Sequence, residues 1–131
     1  MLDKKLLNPA RVRKIQGSFS WVDHRLITDG FLSDLSTLEI LLYLFLVAVS
    51  DRNGISFYHQ DKIASLLKID LPSLGKAREG LIHRSLLAYK PPLYQILSLP
   101  ARPIAPLPPE EIITRQRQAA LQAIRKIQEA L

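Results

Sequence analysis

In the stretch WVDHRL, Asp23 stands beside His24, a carboxylate and an imidazole that act as a general base and its orienter when both reach one substrate atom. Neighbours in sequence rarely converge in that way, and the chain carries neither a nucleophile elbow nor a glycine-rich phosphate loop to complete such a site. The other histidines, His59 and His83, are far from His24 and from each other, with no metal-ligand spacing between them. Without cysteine there is no thiolate nucleophile, no cysteine zinc site and no disulfide framework, which fits a reducing cytoplasm. The sequence therefore reads as that of a non-enzymatic protein, with no metal, cofactor or small-molecule ligand inferred.

The chemistry that the sequence does offer is cationic. Eighteen Lys and Arg against twelve Asp and Glu give a formal charge of +6 and a pI near 9.8, a bias toward a polyanionic partner such as nucleic acid. Lys62, Lys68, Lys76, Arg78, Arg84 and Lys90 fall in one part of the chain, and each can neutralise a phosphate and release counterions. Asp61, Asp70 and Glu79 lie among them, so an ordinary solvated face is the competing reading. Lys4, Lys5, Arg11, Arg13 and Lys14 form a denser basic arm, suited to lie along DNA or simply to keep a terminus soluble.

The elements that must carry these residues are legible in the hydropathy pattern. Residues 1–30 form the basic arm and a mixed segment in which Phe19 and Trp21 are candidate anchors and Gly30 is punctuation. Ser36 three residues before Glu39, with Leu35 before Ile40, matches a capping box with a hydrophobic staple. The helix that follows should end near Ser50, before the turn residues Asn53 and Gly54; being apolar nearly all round, it should be enclosed by other elements. Its apolar run, residues 40–49, is about half of the roughly 20 residues a membrane crossing needs. ISFY at 55–58 reads as a short strand.

Ile63, Ala64, Leu66 and Leu67 then mark one helical stripe and Leu74, Ala77, Leu81 and Ile82 a second, with Asp70 as cap and Pro72 in the first turn. LLAYK and LYQILSL read as two strands meeting at Pro91 and Pro92. The proline-rich run 100–109 should be an extended, semi-rigid spacer, and 110–131 an amphipathic helix with Ile113, Ala120, Ile124, Ile127 and Leu131 along one seam, interrupted by Arg117. Tyr43, Phe45, Phe57 and Tyr58 should pack in or beside the core; Tyr58, Tyr89 and Tyr94 are better placed for exposure, though packing is favoured for them too.

The order helix, short strand, helix, turn, helix, strand, strand over residues 31–99 resembles the winged helix-turn-helix domains of bacterial DNA-binding proteins. Ile63, Ala64, Leu67, Ile69, Leu74 and Ala77 occupy the apolar and small positions with which that motif packs its two helices. With SFSW, LSTLEILLYLFLVAVSDRNGISFY and LYQILSLP, the chain also looks like small helix-turn-helix proteins of chromosomes and mobile elements and, more distantly, plasmid replication initiators. The resemblance implies a mostly α fold, a three-helix core plus a short antiparallel sheet, that binds double-stranded DNA in transcription regulation or in replication and mobile-element maintenance, as a cytoplasmic, nucleoid-associated protein.

It also implies that the helix from about Leu71 to Ser85 enters the major groove, presenting Leu71, Pro72, Gly75, Lys76 and Glu79, flanked by Ser73 and Arg78. Leu71, Pro72 and Gly75 bring no side-chain hydrogen-bonding group to a base edge, leaving Lys76 as the strong reader. The DNA-binding set is thus Lys62, Lys68, Ser73, Lys76, Arg78, Glu79, Arg84 and Lys90, and the reading expects Lys62, Lys76, Arg78 and Lys90 to share one face. The competing class is a protein–protein interaction module on the same scaffold, without sequence-specific DNA reading. Gly75 and Gly80 are weak helix formers, which implies either close backbone approach, to a phosphate or to the central helix, or simply that nothing selects against a slightly weak helix. The C-terminal helix could cover the domain, pair with its copy in a homodimer, or dock on another protein.

Overall fold

The computed structural model describes residues 4–106 and 109–130. Its elements are 3₁₀ turns at Pro9–Arg11 and Leu32–Asp34, helices α1 (Arg25–Thr28), α2 (Thr37–Val49), α3 (Gln60–Leu67), α4 (Leu71–His83) and α5 (Pro109–Ala130), and strands β1 (Ile55–Phe57), β2 (Leu87–Lys90) and β3 (Leu93–Ile96). The strands form one antiparallel sheet in the order β1-β3-β2. Among the described residues no helix is long and apolar enough to cross a membrane.

Local chemistry sets most of these boundaries. Ser36 accepts from the Glu39 N–H while Glu39 returns a bond to the Ser36 N–H, so two orphan donors at the start of α2 are satisfied reciprocally. Helix α3 ends in Lys68, whose left-handed backbone (φ 59°) turns the chain toward α4. Asp70 then accepts from the Ser73 N–H, and Pro72 sits in the first turn, where its missing donor costs nothing. Gly54 has φ 82°, and a Cβ there would stand 2.5 Å from the Ile96 carbonyl oxygen, so only glycine lets the turn before β1 close against β3.

The core joins Leu42, Tyr43, Leu46 and Val47 of α2, Ile63 and Ala64 of α3, Leu74, Ala77 and Leu81 of α4, and Leu86, Leu87 and Tyr94 beneath the sheet, with Leu26, Phe31 and Leu35 closing one end. Strand alternation puts Ser56, Leu87, Tyr89, Tyr94 and Ile96 on the inner face and Ile55, Phe57, Ala88, Lys90, Leu93 and Gln95 on the outer one.

Four packing expectations need correction. Helix α2 is not enclosed: Leu41 and Leu44 are 38% and 44% exposed, because α4 and strand β3 pack on its other side. Trp21 and Phe19 are 78% and 68% exposed rather than anchored; Ser20 between them fixes the segment instead, donating its hydroxyl to the Ser50 carbonyl. Phe57 lies on the outer sheet face and is exposed, whereas Tyr94 is buried on the inner one. The proline run is no free spacer in its described part. The Arg25 guanidinium donates to the carbonyls of Pro100 and Ala101, and His83 Nε2 lies 2.9 Å from the Ala105 carbonyl oxygen, tying 100–106 to the body.

On α5, every residue from Arg117 to Ala130 is exposed, including Leu121, Ile124 and Ile127. Of the anticipated seam, the Ile113 side chain and Leu131 lie outside the described residues.

Candidate nucleic-acid interface

Of the cationic side chains singled out above, Lys76 and Arg78 lie on α4, Arg84 caps its end and Lys90 closes β2 at the hairpin. The N-terminal turn of α4 is open: Leu71, Pro72 and Lys76 are exposed, Ser73, Gly75 and Glu79 partly so. On α3 and the turn after it, Lys62 and Lys68 are exposed, and Lys90 projects from the hairpin. Among the described residues of the N-terminal arm, Lys4, Lys5, Arg11, Arg13 and Lys14 are all exposed.

Two arginines depart from the expected pattern. Arg84 is 6% exposed; its guanidinium donates to the Asp34 carbonyl and lies 3.7 Å from Glu39, itself 8% exposed. It is therefore no phosphate contact: its charge is taken up inside the domain, clamping the end of α4 to the start of α2. Arg78 lies over the Tyr89 ring, 4.5 Å from its centroid, and donates to the Tyr94 hydroxyl at 3.3 Å. Burial raises the Tyr94 phenol above its ordinary pKa, and the Arg78 hydrogen bond works in the opposite direction. Arg78 thus fastens α4 to the inner face of the sheet, while its buried Nε has no hydrogen-bond partner among the described residues.

The four cations expected on one face do not share one. Lys76 and Arg78 are two residues apart, about 200° around a helix, and so point to nearly opposite sides of α4. Lys76 borders a groove with Ser36, Glu39 and Gly80 on the α2 side, whereas Arg78 meets the sheet. Lys90 follows Tyr89 in β2 and therefore faces away from Arg78. The reason is the 3.6-residue helical period against the two-residue strand period, which sequence proximity conceals.

The two glycines also separate. A Cβ at Gly80 would stand 1.8 Å from Glu39 Oε2, so this glycine exists for the Glu39 carboxylate and not for a phosphate. At Gly75 the nearest atom to such a Cβ is an Arg78 guanidinium nitrogen at 3.8 Å, and nothing in the packing requires a glycine there. The Glu39–Arg84 pair was hidden in the sequence, because the capping box accounts for Glu39 by itself and the arginine lies forty-five positions away.

The hydrogen bonds of Asp70 with the Ser73 side chain, and then with the Ser73 N–H, hold its carboxyl below the ordinary carboxylate range. A depressed folded-state pKa means that the cap's contribution is present above the unfolded value and is lost as pH falls through the folded one. Amide exchange at Ser73 should therefore quicken relative to the core of α4 below the normal Asp range. Asp70→Asn, which caps without titrating, should remove that pH dependence; an unchanged profile would show that the cap does not hold the first turn.

Among the described residues no cluster of three His, Cys, Asp or Glu side chains is placed to hold a metal ion. The class that these features define is a mostly helical domain with a three-stranded antiparallel sheet and an exposed, weakly basic helix pair. Comparison of the chain with family models, with curated proteins and with solved structures gave no match.

Proposed function

We propose that residues 31–99 form a winged helix-turn-helix domain that binds double-stranded DNA without catalysis, chiefly through phosphate contacts. The observation that carries this reading is topological. Helix α2, strand β1, helices α3 and α4 and the β2–β3 hairpin follow in the order of that fold, with β3 between the other two strands, and α4 keeps its N-terminal turn open to solvent. In that arrangement the start of a second helix meets the groove while the preceding helix crosses the backbone. The available cations are Lys62, Lys68, Lys76 and Lys90, with the N-terminal arm as a second patch. Since Leu71, Pro72 and Gly75 lack hydrogen-bonding side-chain groups, the complex should discriminate poorly between sequences. This suits a nucleoid or mobile-element role as well as transcriptional control.

A second reading, a protein-interaction module on this scaffold, is favoured by one observation. Arg78 and Arg84 are turned inward, leaving Lys76 as the one exposed cation on α4. A salt titration on random duplex DNA separates the two. DNA binding predicts an affinity that falls steeply with salt, and a log–log slope about two to three units shallower when Lys62, Lys76 and Lys90 are replaced together by alanine. Absence of binding at low salt would leave the interaction module as the surviving reading.

A further inference from the structure

Two apolar stripes stand uncovered on separate helices. On α2, Leu41, Leu44 and Ala48 recur at helical spacing on the side away from the core, with the exposed Trp21 and Phe19 flanking Ser20, which is bonded at the end of the same helix. On α5, Ala120, Leu121, Ile124 and Ile127 form the other stripe. We propose that the chain dimerises by exchange, the α5 stripe of each copy covering the outer α2 stripe of the other. This stands whether or not the domain binds DNA.

Charge disfavours parallel pairing of α5 with its own copy. Arg117 lies two turns from Ile124 on the same face of α5, so parallel self-pairing would set Arg117 against its own copy in a closing seam. The α2 surface is the opposite kind of neighbour. Its exposed residues include no basic group; Asp34, Asp51 and Asp23 stand near its ends and side against Arg52 at one end, with Asp23 close enough to help raise the Tyr43 pKa after burial, the larger cause. Within Arg117–Ala130, Arg117, Arg125 and Lys126 outnumber Glu129, which gives complementary signs around two apolar centres.

In this structure α5 does not cover its own domain: every residue from Arg117 to Ala130 is exposed, as are Leu41, Leu44 and Ala48. Pro106 lines the same groove as Leu35, Leu38 and Glu39 at the start of α2, and α5 begins at Pro109. A reciprocal exchange lays the α5 stripe of each copy on the α2 stripe of the other and so buries two seams rather than one.

The test measures the molar mass in solution of the full chain, of Leu44→Lys and of Ile124→Asp, each checked for native circular dichroism, and then of an equimolar mixture of the two variants. The wild type should approach twice 14.9 kDa as concentration rises, and each variant alone should stay monomeric. The mixture should recover dimers, because one chain still offers an intact α5 and the other an intact α2. Leu41→Lys provides an independent change on the same α2 stripe and should behave as Leu44→Lys does. A monomeric wild type at every concentration overturns the proposal. So does dimerisation that survives both lysine variants but not Ile124→Asp, or a mixture that fails to recover dimers.

Discussion

Replacing Arg84 with alanine is expected to destabilise the domain by about 3–5 kcal/mol, because it leaves the Glu39 carboxylate buried without its cation. The pair sits at the junction of α2 and α4: Glu39 also caps the start of α2, and Arg84 also holds the Asp34 carbonyl. One truncation therefore disturbs a cap, a loop carbonyl and a buried charge together. Among the described residues the Arg84 Nε has no partner even in the intact domain, so the pair already carries an unmet polar cost and neutralising both members should restore much of the loss. Denaturant unfolding of Arg84→Ala, Glu39→Gln and an Arg84→Met, Glu39→Gln double variant measures this directly. The double variant should be more stable than Arg84→Ala; an Arg84→Ala change within about 1 kcal/mol of wild type would show that the pair is not what joins the helices.

The second large effect comes from glycines that look alike in sequence and should respond with opposite signs. Helix propensity alone favours alanine over glycine by about 1 kcal/mol at either position. At Gly75 that gain should appear, since an added Cβ meets nothing closer than 3.8 Å. At Gly80 the Cβ would stand 1.8 Å from Glu39 Oε2 and 2.8 Å from its Cδ. The carboxylate cannot swing away without releasing the Ser36 N–H and Arg84, so Gly80→Ala should cost about 1–3 kcal/mol, the range for overpacking a filled site. Thermal unfolding should move upward for Gly75→Ala and downward for Gly80→Ala. Shifts of the same sign would contradict the packing argument.

What the sequence disclosed and what it hid follow from the range of the interactions concerned. The capping box at Ser36 and Glu39, the Asp70 cap, the hairpin around Pro91 and Pro92 and most of the two helical stripes are written in residues a few positions apart and lie where the pattern places them, whereas Leu66 of the first stripe is 50% exposed. Direction was harder. Lys76, Arg78, Arg84 and Lys90 are close in sequence, but helix and strand periods send them to an open face, the inner sheet, the α2 junction and the outer sheet respectively. The uncovered α2 stripe was equally hidden, because an apolar run gives the composition of a helix and not the number of neighbours that cover it.

The central claim is that the open start of α4 and the hairpin meet duplex DNA. Backbone amide shifts on the labelled full-length protein, followed as random duplex DNA is added at low salt, test it most directly. The account predicts perturbation at Leu71–Lys76, at Lys62 and Lys68 and around Lys90, fading as salt is raised, while the amides of Leu41, Leu44 and Ala48 remain where they were. Shifts confined to the outer α2 stripe, or none at any salt concentration, would contradict it.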